Sequence, residues 1–171
     1  MNKSGYDEIC ESYTEARNEY SKYKDTCLGF LDGLILNFIN YIGAPHSHFR
    51  FTPFYDNVNK SNPDEMYSVR QAAILGDDAY WNIGVLLKIN DLAREHTESY
   101  MLIAIKVKYA DNNYDLQFNS GGKYFTFKVT ENTVEKCKHF FDSIKNTIIN
   151  TFDNHLQRVL DNEKEIRRIG F

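Results

Sequence analysis

Cysteine is scarce in this chain, which limits how covalent links or metals can hold its fold. The 171 residues contain three cysteines, Cys10, Cys27 and Cys137. An odd number at such wide spacing does not suit a disulfide framework, and no pair has the spacing of metal ligands. We therefore expect reduced thiols, no structural metal and a cytoplasmic location.

The motifs of several enzyme classes are also missing. The only adjacent glycines, Gly121 and Gly122, lie in a predicted hairpin turn, so a nucleotide-binding glycine loop between a strand and a helix is not expected. The chain has no Gly-x-Ser-x-Gly, HExxH or CxxC sequence, and we expect no cofactor. The first ten residues lack the apolar stretch of a signal peptide.

No strong excess of either charge is present. The 20 basic and 24 acidic residues give a net charge of -4 and are mixed along the chain. Binding to duplex nucleic acid usually requires a basic stripe, so we do not expect that class of partner. The most apolar run, residues 28–42, contains Asp32 and is shorter than the roughly 18 uncharged residues that a membrane span needs, so we expect no membrane contact.

What the chain does have is enough apolar and aromatic material for a core. Hydrophobic residues make up 42% of it, and 12 tyrosines and 12 phenylalanines dominate the aromatic 15%. This composition predicts one folded domain over residues 1–171. The many tyrosines favour half-buried surfaces, because the ring is apolar and its hydroxyl is polar.

The middle of the chain alternates apolar and polar residues with a period of two, which predicts β-strands. The alternating pieces are residues 81–89, 101–109, 114–118 and 125–129. Short connectors at 111–113 and 120–122 predict an antiparallel meander. A further strand is predicted from His46 and His48 through Phe51, at the sheet edge because Pro53 follows.

One face of the first two strands in this meander is predicted to be only partly exposed to solvent. Leu86, Leu102 and Ala104 are apolar on this outer face, whereas Lys106 is typical of a solvated position. We expect a helix end or a partner to cover the apolar part.

Long helices are predicted at both ends of the chain. In residues 6–42, apolar residues recur at alternating steps of three and four: Ile9, Tyr13, Ala16, Tyr20, Tyr23, Cys27, Phe30, Leu34, Phe38 and Tyr41. A helix of about 50 Å is longer than a four-stranded sheet is wide, so we expect its second half to pack on the sheet and the rest to overhang or meet another helix. Gly29 and Gly33 predict a close approach or a mild bend.

The last helix is predicted over residues 130–171, with Thr130 or Asn132 as its N-cap. The fold class is therefore α+β, an antiparallel sheet with a meander of four or more strands flanked by long N- and C-terminal helices. Two questions stay open at this stage. Residues 63–76 fit a helix capped by Asn62 or a strand, and we favour the strand. The long helices can pair within one chain or between two chains.

Two histidines and two aspartates are the candidate catalytic residues. His46 and His48, two apart on a strand, would point to one face and can hold a metal if carboxylates converge on them. Asp77 and Asp78, in a predicted turn, are the available carboxylates. An exposed histidine pair beside an edge strand is the favoured interpretation.

Three further residues are candidates for binding. Arg94 and His96 lie in the long polar segment 90–99, and long loops are often functional. A solvated loop is the favoured interpretation there. Trp81, at the start of a strand, can stack on a ligand, although core packing is favoured.

These patterns predict a non-catalytic binding module that self-associates, as a homodimer, or binds another protein. Helices of this length are expected to leave part of their apolar seams uncovered. The uncovered residues would be Tyr13, Tyr20 and Tyr23 on the first helix and Leu156, Val159 and Ile166 on the last. The alternative is a small hydrolase, possibly metal-assisted, that uses His46, His48, Asp77 and Asp78. Convergence of those four side chains in a cleft would favour the enzyme.

Overall fold

The protein's computed structural model describes residues 3–54, 65–90, 98–120 and 123–160. The helices are α1 (Gly5–Ile42), α2 (Val69–Ala72) and α3 (Val134–Leu160), with a 3₁₀ turn at His46–His48. The strands are β1 (Phe49–Thr52), β2 (Ile74–Leu75), β3 (Trp81–Asn90), β4 (Glu98–Ala110), β5 (Asn113–Ser120) and β6 (Lys123–Val129). The predicted α+β class, with its antiparallel sheet and long helices, is confirmed.

Helix α1 has a strong signal at each end. The Ser4 hydroxyl accepts a hydrogen bond from the backbone N–H of Asp7, whose carboxylate accepts one from the Ser4 N–H, which forms a capping box. Gly43 ends the helix in the left-handed region at φ 67°, a conformation that glycine adopts without steric cost. The 38-residue helix is therefore about 57 Å long at 1.5 Å per residue.

The sheet is a meander with an extra edge. Its strands run in the order β1-β3-β4-β5-β6, with β2 pairing along β3 next to β1, and every pair is antiparallel. The β4–β5 hairpin turns through Asp111 and Asn112 at φ 50° and 60°, the positive values that a two-residue turn requires and that Asp and Asn tolerate. The predicted meander and the edge strand before Pro53 are confirmed.

Two predictions at this edge need correction. His46 and His48 lie in a 3₁₀ turn that precedes β1, so they are not alternate residues of a strand. Residues 65–76 are neither a full helix nor a full strand. A one-turn helix is capped by Ser68, whose side chain exchanges hydrogen bonds with Gln71, and only Ile74 and Leu75 join the sheet. Asn62, the predicted cap, and residues 63–64 fall outside the described residues.

The core lies between one face of the sheet and the two long helices. Helix α1 contributes eight buried residues, from Cys27 to Ile39. Phe30 stacks on Tyr114 of β5, with ring centroids 3.7 Å apart. Phe140 of α3 packs edge-on against Phe118 and Phe127. The prediction that the second half of α1 packs on the sheet is confirmed.

The two long helices pair within the chain, and they run in the same direction. Asn132, just before α3, lies beside Asn37, whose side-chain amide donates to the Asn132 side-chain oxygen at 3.0 Å. Nine residues further along α3, Phe141 packs on Phe38, and Asp142 accepts a 2.5 Å hydrogen bond from Tyr41. Of the two alternatives left open by the sequence, pairing within one chain is the one observed. Helix α3 starts beside the second half of α1 and runs away from the first.

The start of α3 also differs from the prediction. Thr133 caps the helix, since its hydroxyl accepts from the backbone N–H of Lys136 at 3.3 Å. Asn132 instead donates to the Phe30 carbonyl at 3.1 Å, directly over Gly33, where a Cβ atom would overlap the Asn132 amide nitrogen. The close approach predicted for Gly33 is confirmed. Gly29 has no atom within 4 Å of its Cβ position, so no close approach occurs there.

The opposite face of the sheet is partly covered by the chain itself. Phe54, two residues after β1, forms a buried cluster with Leu86, Leu102 and Ala104. The patch was predicted to be covered by a helix end or a partner, but in the structure Phe54, from the segment after the edge strand, packs on it. Among the described residues, no helix is both long and apolar enough to cross a bilayer.

Candidate protein-binding surface

The first half of α1 is exposed on every side. All residues from Lys3 to Lys22 are exposed, and the first buried residue of the helix is Cys27. Eighteen helical residues, about 27 Å in length, therefore extend beyond the sheet. The overhang predicted from the length of the helix is confirmed.

A line of apolar side chains runs along this overhang. We name it the tyrosine stripe, and its members are Tyr6, Ile9, Tyr13, Ala16 and Tyr20. The four larger residues are 74%, 67%, 66% and 47% exposed, in chain order. Steps of three and four keep the side chains on one face of the helix, so the stripe is a continuous surface.

The tyrosine stripe is in phase with the buried seam of the same helix. Seven-residue steps from Tyr6 lead through Tyr13 and Tyr20 to Cys27 and Leu34, which are buried in the core. A straight helix drifts about 20° in seven residues, so Tyr20 lies about 20° and Tyr13 about 40° from the direction of Cys27, which keeps the inner part of the stripe on that side. The stripe therefore points to the side of α1 on which the sheet lies.

The β2–β3 turn closes off the inner end of the stripe. The Tyr23 hydroxyl donates to the backbone carbonyl of Ala79 at 2.7 Å. The ring centroids of Tyr20 and Trp81 are 6.4 Å apart, and the Lys24 Nζ atom lies 5.7 Å from the Trp81 centroid. We name this group, Tyr20, Tyr23, Lys24, Ala79 and Trp81, the base of the stripe.

Tyr23, in the base of the stripe, has a perturbed phenol. Burial is the main cause that raises the pKa of the Tyr23 phenol well above its usual value. The phenol is therefore neutral and keeps the proton that it donates to Ala79. The hydrogen bond joins α1 to the β2–β3 turn at the inner end of the overhang.

Trp81, predicted either to pack or to stack on a ligand, is a buried residue of the core. Its side chain is 4% exposed and belongs to the main hydrophobic cluster. It nevertheless borders the surface through Tyr20 and Lys24. Its contribution is to support the base of the stripe.

The four candidate catalytic residues do not lie together. Phe49, next to the histidine turn, pairs with Leu87, whereas Asp77 and Asp78 precede Trp81 at the other end of β3. Six residues of strand separate the two ends, about 20 Å at 3.3 Å per residue. No group of three or more His, Cys, Asp and Glu side chains in the described part of the chain is placed to hold a metal ion. Arg94 and His96 fall outside the described residues.

Asp78 instead takes part in a polar network that the sequence did not reveal. Its carboxylate lies 3.3 Å from the Lys106 Nζ atom, and Lys106 is only 4% exposed. Lys106 also lies over the Tyr124 ring, 4.7 Å from its centroid, and Gln117 donates to the Tyr80 hydroxyl at 3.0 Å. Lys106 was predicted to be solvated. Lys106 is buried because Asp78, in the turn before β3, and Tyr124 of β6 pack over it. No local sequence pattern predicts such contacts.

Comparison of the chain with protein-family models, with curated proteins and with solved structures finds no match.

Proposed function

We propose that this protein is a non-catalytic interaction module and that one of its partners is a second copy of itself, bound along the tyrosine stripe. The observation that carries the proposal is the 27 Å overhang, whose apolar side chains are exposed, whereas the apolar seam of the second half of the helix is buried. The hydrolase alternative has no comparable support, because its histidines and aspartates lie at opposite ends of β3.

Exposure of the stripe is unfavourable in free energy. Apolar surface in water costs about 25 cal/mol per Å² relative to burial. A contiguous exposed patch on a folded protein usually marks an interaction site. Helix α3 cannot cover this patch, because it starts beside Gly33 and extends away from the overhang.

The composition of the stripe suits a protein partner. Tyrosine is enriched in protein interfaces, since it offers a large rigid ring and a hydroxyl that remains hydrated at the edge. The exposed members of the stripe include three tyrosines and one isoleucine. Charged residues, which are depleted from interface centres, are absent from it.

A second copy satisfies these requirements with closed symmetry. A twofold dimer places the same surface on both sides, so each stripe covers the other and none is left exposed. Five helical turns bury a small area, at or below the roughly 1,200 Å² at the lower end of stable interfaces. We therefore expect association at micromolar rather than nanomolar concentration.

Replacing Tyr13 with aspartate tests this proposal. A charge at the centre of the stripe would be buried without a partner in the dimer, so we expect Tyr13→Asp to abolish self-association. Tyr13 is exposed in the single chain. The circular dichroism spectrum and thermal midpoint of the variant should therefore remain close to those of the unmodified protein. Sedimentation equilibrium measures the mass against the 20.0 kDa of one chain.

Asn18→Asp is the matched control. Asn18 lies on the helix face away from the stripe and is also exposed, so the same added charge should leave the dimer intact. An unmodified protein that stays at the mass of one chain at 200 micromolar, or equal effects of the two variants, would refute self-association through the stripe.

A further inference from the structure

We infer that the two copies pair antiparallel, with the twofold axis crossing α1 between Thr14 and Glu15. This arrangement rests on the proposed function and specifies how the partner lies. Each overhang then runs along the other, and the N-terminal end of each helix lies against the base of the partner's stripe.

The position of the sheet excludes a parallel pair. The stripe lies on the same side of α1 as the sheet, and Cys27 and Leu34, one and two heptads beyond Tyr20, are buried against it. A partner helix running parallel along the stripe would continue into the space that the sheet occupies. In an antiparallel pair the partner helix begins at Gly5, opposite Lys24, so the helix itself stops short of the level of Cys27.

Side-chain size fixes the register. With the axis between Thr14 and Glu15, Tyr13 faces the partner's Ala16, and Ile9 faces the partner's Tyr20. The small alanine leaves room for the tyrosine ring opposite, which is the alternation of large and small side chains that close packing favours. Ala16 is the one small residue in the stripe.

Charges flanking the stripe are compatible with this register. Cys10 faces the partner's Arg17, and Ser12 faces the partner's Glu19, so no like charges oppose each other at these helical positions. A parallel pair would bring Glu19 near the partner's Lys24. Such an exposed ion pair contributes about 1 kcal/mol or less, which cannot offset a steric overlap with the sheet.

Distances between spin labels test the direction. Cys10 is exposed while Cys27 and Cys137 are buried, so the natural chain takes one label. Lys3→Cys and Lys22→Cys, each with Cys10→Ser, provide two more positions. For positions 10, 22 and 3, the antiparallel pair predicts axial separations of about 14, 22 and 34 Å at 1.5 Å rise per residue. In a parallel pair the axial separation is zero at all three positions, and only the distance between the helix axes, about 10 Å, remains.

A swap of two residues tests the register. Ala16→Tyr places two tyrosines opposite each other, and we expect the dissociation constant to rise at least tenfold. The double variant Tyr13→Ala with Ala16→Tyr restores one large and one small residue in each layer, so it should bind within about threefold of the unmodified protein. Glu15→Tyr, on the outer face, is the control of equal size and should have no effect.

The two proposals fail in different ways. A chain that remains monomeric at high concentration contradicts the proposed function. A dimer with equal short distances at all three label positions, or one that Ala16→Tyr leaves unchanged, contradicts the antiparallel arrangement alone.

Discussion

Asn132 holds the start of α3 against α1 with its side chain. Its amide donates to the Phe30 carbonyl and accepts from Asn37, and it occupies the space where a side chain at position 33 would begin. Gly33 is therefore required for this contact, whereas Gly29 on the same helix is not.

We predict opposite effects of alanine at these two glycines. Gly29→Ala should stabilise the protein by about 0.5–1 kcal/mol, because alanine has the higher helix propensity and meets no atom there. Gly33→Ala gains the same propensity but displaces Asn132, with a loss of about 1–3 kcal/mol for the unsatisfied polar groups. Urea denaturation of both variants measures the difference, and equal stabilisation would show that Asn132 moves aside without cost.

The three thiols are expected to differ sharply in reactivity. Burial raises the pKa of Cys137 to about 11 and also raises the pKa of Cys27, whereas Cys10 is exposed. Because only the thiolate is nucleophilic, the folded protein should be alkylated at one site, Cys10, at pH 8. Mass spectrometry after iodoacetamide treatment tests this, with the urea-unfolded chain as the control that should take three groups. Two or three groups on the folded chain would contradict the burial.

At the scale of elements, α1 consists of two halves with different support. The half from Cys27 to Ile39 is packed between the sheet and α3, while the half from Gly5 to Lys22 is exposed throughout and meets the sheet through Tyr20 and Trp81 at its inner end. Helical turns without tertiary contacts open easily, because most helix stability in proteins comes from packing.

Hydrogen exchange should reveal this difference and its dependence on concentration. In dilute protein, amides of the free half should exchange by local opening, and those of the packed half only near the global unfolding free energy. At concentrations where the chain self-associates, protection of the free half should rise. Protection that is high and independent of concentration would mean that the overhang is stable without a partner.

The sequence predicts the helices and strands well but not their surroundings. The step of three and four runs without a break through Tyr13, Tyr20, Cys27 and Leu34, so the period alone does not show where packing ends. The boundary between the exposed and buried halves of α1 is set by the sheet and by the direction of α3. The direction of α3 depends in turn on the contact of Asn132 with α1, about 100 residues away in the chain. Such contacts between distant segments leave no local pattern.

On the scale of the whole molecule, topology decides which candidate residues meet. The histidines and Asp78 are both close to β3 in the fold, yet an antiparallel edge strand places them at its two ends. The same topology brings Asp78 over Lys106 of the next strand. Residue types suggested a site at the histidines, and strand pairing was needed to show that its parts are separate.

The unbroken course of α1 has a mechanical consequence. A single helix without a hinge acts as a lever arm, and a rotation of about 10° at its support moves a tip about 27 Å away by about 5 Å, given the rise per residue. The Tyr23–Ala79 hydrogen bond lies at the inner end of this exposed segment, where it meets the sheet. While the helix is intact, a small rotation at the turn before β3 therefore displaces a molecule bound at the tip by several ångströms.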